Sequence, residues 1–274
     1  EWWILKPGMS ERGQGIRLFN SEEELQAIFE KWDPGSDDDD EEGEPSQDEE
    51  KTDGKGDGIM TSHLRHFTAQ PYISNPLLVS PPHPAAGRKF HIRTYVLATG
   101  ALKIHVYKPM LALFAAEPYS PPSATTDPNA DLSSHLTNTC LQTGEREGSV
   151  SAFWSLPGSD IDKESVFAQI CSTTATVFEA AARSMSIHFQ PLPNAFEIFG
   201  VDFLVDTHGK AWLLEVNSFP DFAQTGDELS GVVKGLMEQV VDVAVMPFFD
   251  TQKASEDNDE SHMRKVLDID LGRR

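Results

Sequence analysis

Long apolar runs are missing from this chain. None of its 274 residues falls in an uninterrupted apolar stretch of membrane-spanning length, which takes about 18 residues or more. The opening EWWILKPGMS has neither a basic leader region nor a small-residue cleavage site, so no secretory signal is expected. Together these absences predict a soluble cytoplasmic protein with no membrane partner. Cysteine is scarce: Cys140 and Cys171 show no metal-ligand spacing and are expected to be buried or idle thiols. Positive charge is also short, with 22 Lys and Arg against 44 Asp and Glu, a net charge of −22. No basic stripe is present, so no direct nucleic-acid partner is expected. The chain has no initiator Met and opens on a strand-like segment, which predicts a piece of something longer, incomplete at its N-terminus.

What the chain does have is unevenly spread. Residues 36–57 hold twelve acids and two lysines, a balance of −10, and read as a disordered surface insertion because they can bury nothing and repel one another. A globular domain over 1–249, with that insertion at about 34–58, and a polar C-terminal tail over 250–274 are expected. WWILK reads as a strand, PGMSERGQGI as a glycine loop, and NSEEELQAIFEKW as a helix in which Ser21 and Glu24 have capping-box spacing. Strand, glycine loop and helix can cradle phosphate, and a surface turn fits the same residues. A second helix over 162–186, with Val166, Ile170, Val177 and Phe178 inward, and a third near the C-terminus are expected to cover a sheet. No nucleophile-elbow pattern supports Ser/His/Asp catalysis. His63 and His66 are only three apart, short of a zinc arrangement.

Chemistry concentrates in VDFLVDTHGKAWLLEVNSFP. Two β-rich runs flank His208-Gly209, and a glycine second in a two-residue loop signals a hairpin. Thr207 then faces Lys210, and Asp202 falls opposite Glu215. One face carries Val201, Phe203, Val205, Trp212, Leu214 and Val216 toward a core. The other gathers Asp202, Glu215 and Asn217. Like charges opposite one another are destabilising unless a cation offsets them, and two carboxylates with an amide oxygen suit Mg²⁺. In KFHIRTYVLATGALKIHVYKPMLALFA, strands flank Thr99-Gly100. Composition alone makes Lys89 and Arg93 a generic basic strand face.

Several segments taken together resemble the tubulin-tyrosine-ligase family, and its fungal branch in particular: WWILKPGMSERGQGI, QPYISNPLL, KFHIRTYVL, AAEPY, HLTN and FEIFGVDFLVDTHGKAWLLEVNSFP. They run in family order across residues 1–226. The resemblance implies an α+β ATP-grasp fold with an antiparallel sheet covered by helices. It also implies an ATP-dependent ligase that joins a free amino acid to a protein carboxylate, by resemblance a tubulin tail, through an acyl phosphate. Asp202, Glu215 and Asn217 would hold Mg²⁺. Lys6, Arg12 and Gly13 would hold ATP phosphates, and Gln70, Pro71, Tyr72 and Ile73 the adenine. Lys89 would meet phosphate, His91 the nucleotide in place of an aspartate of animal members, and Thr137 and Asn138 the region near the ribose. Arg93 would face the acceptor carboxylate. Leu113 stands where amino-acid-adding members carry an arginine, and Lys108 is the nearby cation that would replace it. A catalytically reduced module acting as a protein-interaction scaffold is the alternative, and the fungal resemblance ties either function to P-bodies.

Overall fold

The structure is a computed structural model. It describes residues 1–8, 15–32, 66–123, 132–137, 149–157, 161–218, 220, 222, 230–249 and 262–272. Arg12, Gly13, Asn138, Cys140, His63 and the acidic insertion lie outside the described residues. The chain divides into two compact units, Glu1–Ser74 with Pro121–Leu132, and Asn75–Ser120 with Ser133–Arg274.

The first unit is a three-stranded antiparallel sheet in the order β2 (Arg17–Phe19), β1 (Trp3–Pro7), β3 (Phe67–Pro71), with helix α1 (Glu22–Trp32). Ser21 Oγ accepts from the Glu24 N–H and Glu24 reaches back to the Asn20 N–H, so the predicted capping pair starts the helix. Leu5, Phe19, Ile28 and Trp32 form its core, and the Trp32 ring stacks on Phe67. Side chains alternate along β1, so Ile4 and Lys6 point away from that core.

The second unit is built around β4 (Arg88–Thr99), whose residues are almost all buried. One edge of β4 pairs with β6 (Leu111–Pro118) along its first half and β5 (Lys103–Tyr107) along its second; the other edge pairs with β8 (Phe196–Val205). β9 (Ala211–Asn217) follows β8, and β7 (Val150–Ala152) follows β6. All pairings are antiparallel. Helix α2 (Lys163–Ser184) covers one face, packing Val166, Phe167, Ile170 and Phe178 on Phe90, Ile92, Val96, Val201 and Phe203. Val177 is only half-buried. Helix α3 (Ser230–Val240), continuing through a π-turn into α4 (Met246–Phe249), covers Tyr95, Leu97, Leu111 and Leu113 on the other. The expected tail does not stay a tail: β10 (Met263–Asp268) pairs with β5, because that strand's outer edge offers an unfilled row of backbone groups. Among the described residues no helix is long and apolar enough to cross a membrane.

Candidate functional site

The β8–β9 hairpin departs from the expected turn and still reaches the expected register. Asp206 N–H donates to the Lys210 carbonyl, so the loop holds three residues, Thr207, His208 and Gly209, with Gly209 at positive φ. The Asp206 carboxylate builds this loop. It accepts from the His208 and Lys210 N–H groups at 2.8 and 3.0 Å and from the Trp212 indole at 2.9 Å. Burial works to raise its pKa, but the Trp212, Lys210 and His208 donors outweigh that and hold it below the ordinary value. From this loop the register runs Val205↔Ala211, Leu204↔Trp212, Phe203↔Leu213. It then shifts, skipping Leu214, and continues Asp202↔Glu215, Val201↔Val216, Gly200↔Asn217.

A β-bulge thus returns Asp202 to a place opposite Glu215, as bulges near functional sites often re-aim a side chain. The bulge also corrects the expected core face. Ala211 and Leu213 pack with Phe203 and Val205, while Trp212 turns to Asp206 and Val216 is 40% exposed. Gln169 of α2 ties the loop to its helix, donating to the Gly209 carbonyl and accepting from the Ala211 N–H.

On the face opposite α2, β4 presents Lys89, His91 and Arg93, all buried. The generic basic face is therefore overturned, since Lys89 and Arg93 are buried rather than solvated. Arg93 lies beside Asp202 in the strand pairing and grips it side-on, Nε to Oδ1 at 2.5 Å and Nη2 to Oδ2 at 3.1 Å. Burial works to lower the Arg93 pKa, but the Asp202 carboxylate more than offsets it and the pKa stands above its ordinary value. His91 shares a hydrogen bond with Thr137 through Nδ1 at 2.5 Å, and its Nε2 is 3.8 Å from Asp202 Oδ1. His135 is pushed down to about 4 by burial and by the neighbouring Lys89, so it is neutral at pH 7. Asn217 donates its amide N–H to Glu215 Oε1 at 3.1 Å, which keeps these two side chains on one side of the strand.

A model of the tubulin-tyrosine ligase family matches residues 1–253. The chain belongs to that family. Over 98% of its length it is 46% identical to a probable tubulin–tyrosine ligase of Schizosaccharomyces pombe, covering 64% of that protein. Over the same share it is 43% identical to a probable tubulin–tyrosine ligase of Saccharomyces cerevisiae, covering 36% of it. It also resembles the crystal structure of the C-terminal domain of K. lactis Pby1, described as an ATP-grasp enzyme interacting with the mRNA decapping enzyme Dcp2. That match has 38% identity and a TM-score of 0.66, covering 98% of this chain and 63% of that one. The fold is therefore ATP-grasp, α+β, and the chain spans less than two thirds of each of these relatives.

Within this family framework the expected site residues separate. Lys6 lies opposite Thr68 and Ile4 opposite Gln70, so Lys6 and Gln70 share the face of the first unit's sheet turned away from its core. Pro71 ends β3, and Tyr72 is buried with its N–H on the Trp2 carbonyl. The second unit gathers Lys89, His91, Arg93, Thr137, Asp202, Glu215 and Asn217. Lys108 does not join them. Its ammonium pairs with Glu164 at 3.2 Å and lies 4.9 Å over the Trp154 ring, partners on the α2 side of the sheet. The expected substitution for an arginine at position 113 is therefore corrected; Leu113 faces His91 across the strands and packs in the α3 cluster.

Asp202, Glu215 and Asn217 offer hard oxygen donors, and each Asp202 oxygen held by Arg93 retains a second lone pair. That donor chemistry fits Mg²⁺. Among the described residues no group of three or more His, Cys, Asp or Glu stands ready as a metal cluster, and here the third donor is an amide. Ser151 and His83 are 3.4 Å apart, but His83 Nδ1 accepts the Ala85 N–H, so its other nitrogen carries the proton and cannot serve as a base. The sequence reading missed His135 and Gly200. A glycine inside a strand is the signal that could have found the second.

Proposed function

We propose that the chain is an ATP- and Mg²⁺-dependent ligase that joins the amine of a free amino acid to a carboxylate of an acceptor protein. The observation that carries this is the hairpin register, Asp202 opposite Glu215, with Arg93 gripping Asp202 from the adjacent strand. In this reading the acceptor carboxylate attacks the γ-phosphorus of ATP, ADP leaves, and an acyl phosphate forms. The amine then attacks the acyl carbon, phosphate departs, and the amide is left after the nitrogen loses a proton. Mg²⁺ on Asp202, Glu215 and Asn217 would neutralise phosphate charge. Lys6, Arg12, Gly13 and Lys89 would be the residues that meet ATP phosphates. Gln70 to Ile73 would receive the adenine, and His91, Thr137 and Asn138 would meet the nucleotide. Arg93 spends Nε and Nη2 on Asp202, which leaves Nη1 to face the acceptor carboxylate. A net charge of −22 repels strongly acidic tails at long range, which favours an acceptor less acidic than a tubulin tail.

Calorimetric titration of ATP with Mg²⁺ tests the reading. Binding that requires Mg²⁺ and that Glu215→Ala abolishes is expected; no binding by a folded wild-type chain would sink it.

A second reading rests on Leu113 and the diversion of Lys108: neither of the two positions expected to meet an amino-acid carboxylate offers it a cation. On that reading the chain is an ATP-grasp-derived interaction module. K. lactis Pby1 is described as interacting with a decapping enzyme, so the partner would be a component of decapping assemblies in P-bodies. Retention of a decapping enzyme by a chain that binds no nucleotide would establish it.

A further inference from the structure

Gly200 stands in the middle of β8, opposite Tyr95 on one side and Asn217 on the other. A glycine there is a poor choice for the strand itself, since it adds backbone entropy and packs nothing. Its φ is not in the left-handed region, so the backbone does not require it. The surroundings do. A Cβ at this position would lie 3.2 Å from Pro220 Cβ, 3.4 Å from Arg93 Cδ and 3.5 Å from Arg93 Nη1. The Arg93 side chain therefore lies against bare backbone at Gly200 while its Nε and Nη2 hold Asp202, one pleat along the same strand.

We infer that Gly200 is a positioning residue for Arg93. Its missing side chain lets the guanidinium lie against β8, so that one edge grips Asp202 and the Nη1 arm is left for a substrate carboxylate. The role assigned to Nη1 rests on the ligase reading; the grip on Asp202 does not. A Cβ alone would meet Arg93 at ordinary contact distance and crowd only Pro220, at 3.2 Å; the γ atoms of a larger side chain reach further, push the guanidinium outward, lengthen its bonds to Asp202 and turn Nη1 away. Pro220 Cβ, at 3.2 Å from the added Cβ, bounds the position on another side and limits where those γ atoms can turn.

The test compares Gly200→Ser and Gly200→Val with Gly235→Ala. The last is a control far in sequence, where a Cβ would meet the Tyr107 hydroxyl at 2.6 Å in the α3 packing. First, Arg93→Ala is made in each background and the loss in thermal midpoint is read. Arg93→Ala is expected to lose at least half of its wild-type effect in the Gly200→Val background and to keep it in Gly235→Ala. Gly200→Ser, which adds a single γ atom, supplies the same reading if Gly200→Val does not fold. Second, ATP is titrated with Mg²⁺: a weakening of about tenfold is expected for Gly200→Val, against less than twofold for Gly235→Ala at a similar loss of midpoint. An undiminished Arg93→Ala effect in both Gly200 backgrounds would overturn the inference, as would equal weakening of nucleotide binding by Gly235→Ala. Should the wild type bind no nucleotide, the ligase reading fails while the first measurement still decides the role of Gly200.

Discussion

Asp202 in β8 and Asp206 just past its end lie four residues apart, on one face, at 3% and 6% exposure. Their surroundings differ in kind. Asp206 takes three N–H donors from the next six residues, so a buried charge is fully met by the loop it organises. Asp202 takes no such local donors; it is held by a guanidinium from a neighbouring strand and faces a second carboxylate across the hairpin. The first arrangement shapes a turn. The second keeps charge on call at a place where stability alone would favour apolar residues, because buried ion pairs seldom out-stabilise a packed hydrophobic contact. A buried acid is thus classed by the origin of its partners rather than by its burial.

The largest expected effect comes from breaking the cross-strand pair. Arg93→Ala leaves Asp202 buried without its cation and should cost about 3–5 kcal/mol in chemical denaturation. Arg93→Ala with Asp202→Ala should recover a substantial part of that loss, because the orphaned charge is gone. Strict additivity of the two single losses would show that the pair is not coupled.

Asp206→Asn should follow, at about 1–3 kcal/mol, since its replacement cannot accept all three donors. Here pH sharpens the contrast. The folded Asp206 carboxyl titrates below its ordinary value of 3.8, so its contribution is complete above that value and is lost as pH falls through the folded one. Stability of Asp206→Asn should therefore depend less on pH below about 4 than that of the wild type. Nucleotide binding should stay within about threefold, a ratio a calorimeter resolves directly.

Much of this comparison was legible in the residues. The alternation in VDFLVD and AWLLEVN announces two strands, and glycine at 209 announces the turn. The loop length was not legible, because Asp206 reads as one more polar strand residue until its carboxylate is seen drawing in the N–H groups of residues 208 and 210. The error was then cancelled by the bulge at Leu214, so Asp202 met Glu215 by a different path from the one expected. Burial of Arg93 was hidden for another reason: the residues against it, Gly200 and Asp202, come more than a hundred residues on. Strand β10 was hidden because a short segment rich in charge forms a strand only when an open edge awaits it. The resemblance supplied Thr137, but nothing in local pattern ties it to His91, 46 residues away.

The smallest stability effect should accompany the largest functional one. Glu215 is exposed and sits opposite Asp202, an arrangement that costs a few tenths to about 1 kcal/mol unless offset. Arg93 supplies part of the offset, its charge reaching Glu215 as well as Asp202. Glu215→Gln keeps an oxygen to accept the Asn217 amide and removes the like charge, so stability should change by no more than about 0.5 kcal/mol, in the favourable direction. Mg²⁺-dependent nucleotide binding should nonetheless fall by about tenfold or more, about 1.4 kcal/mol, because a neutral amide is a weaker ligand for a hard cation. Asp206→Asn is expected to do the reverse, losing stability and keeping affinity. If Glu215→Gln instead loses stability and keeps its nucleotide affinity, Glu215 belongs with Asp206 as a structural acid, and the register that brings it opposite Asp202 serves the hairpin alone.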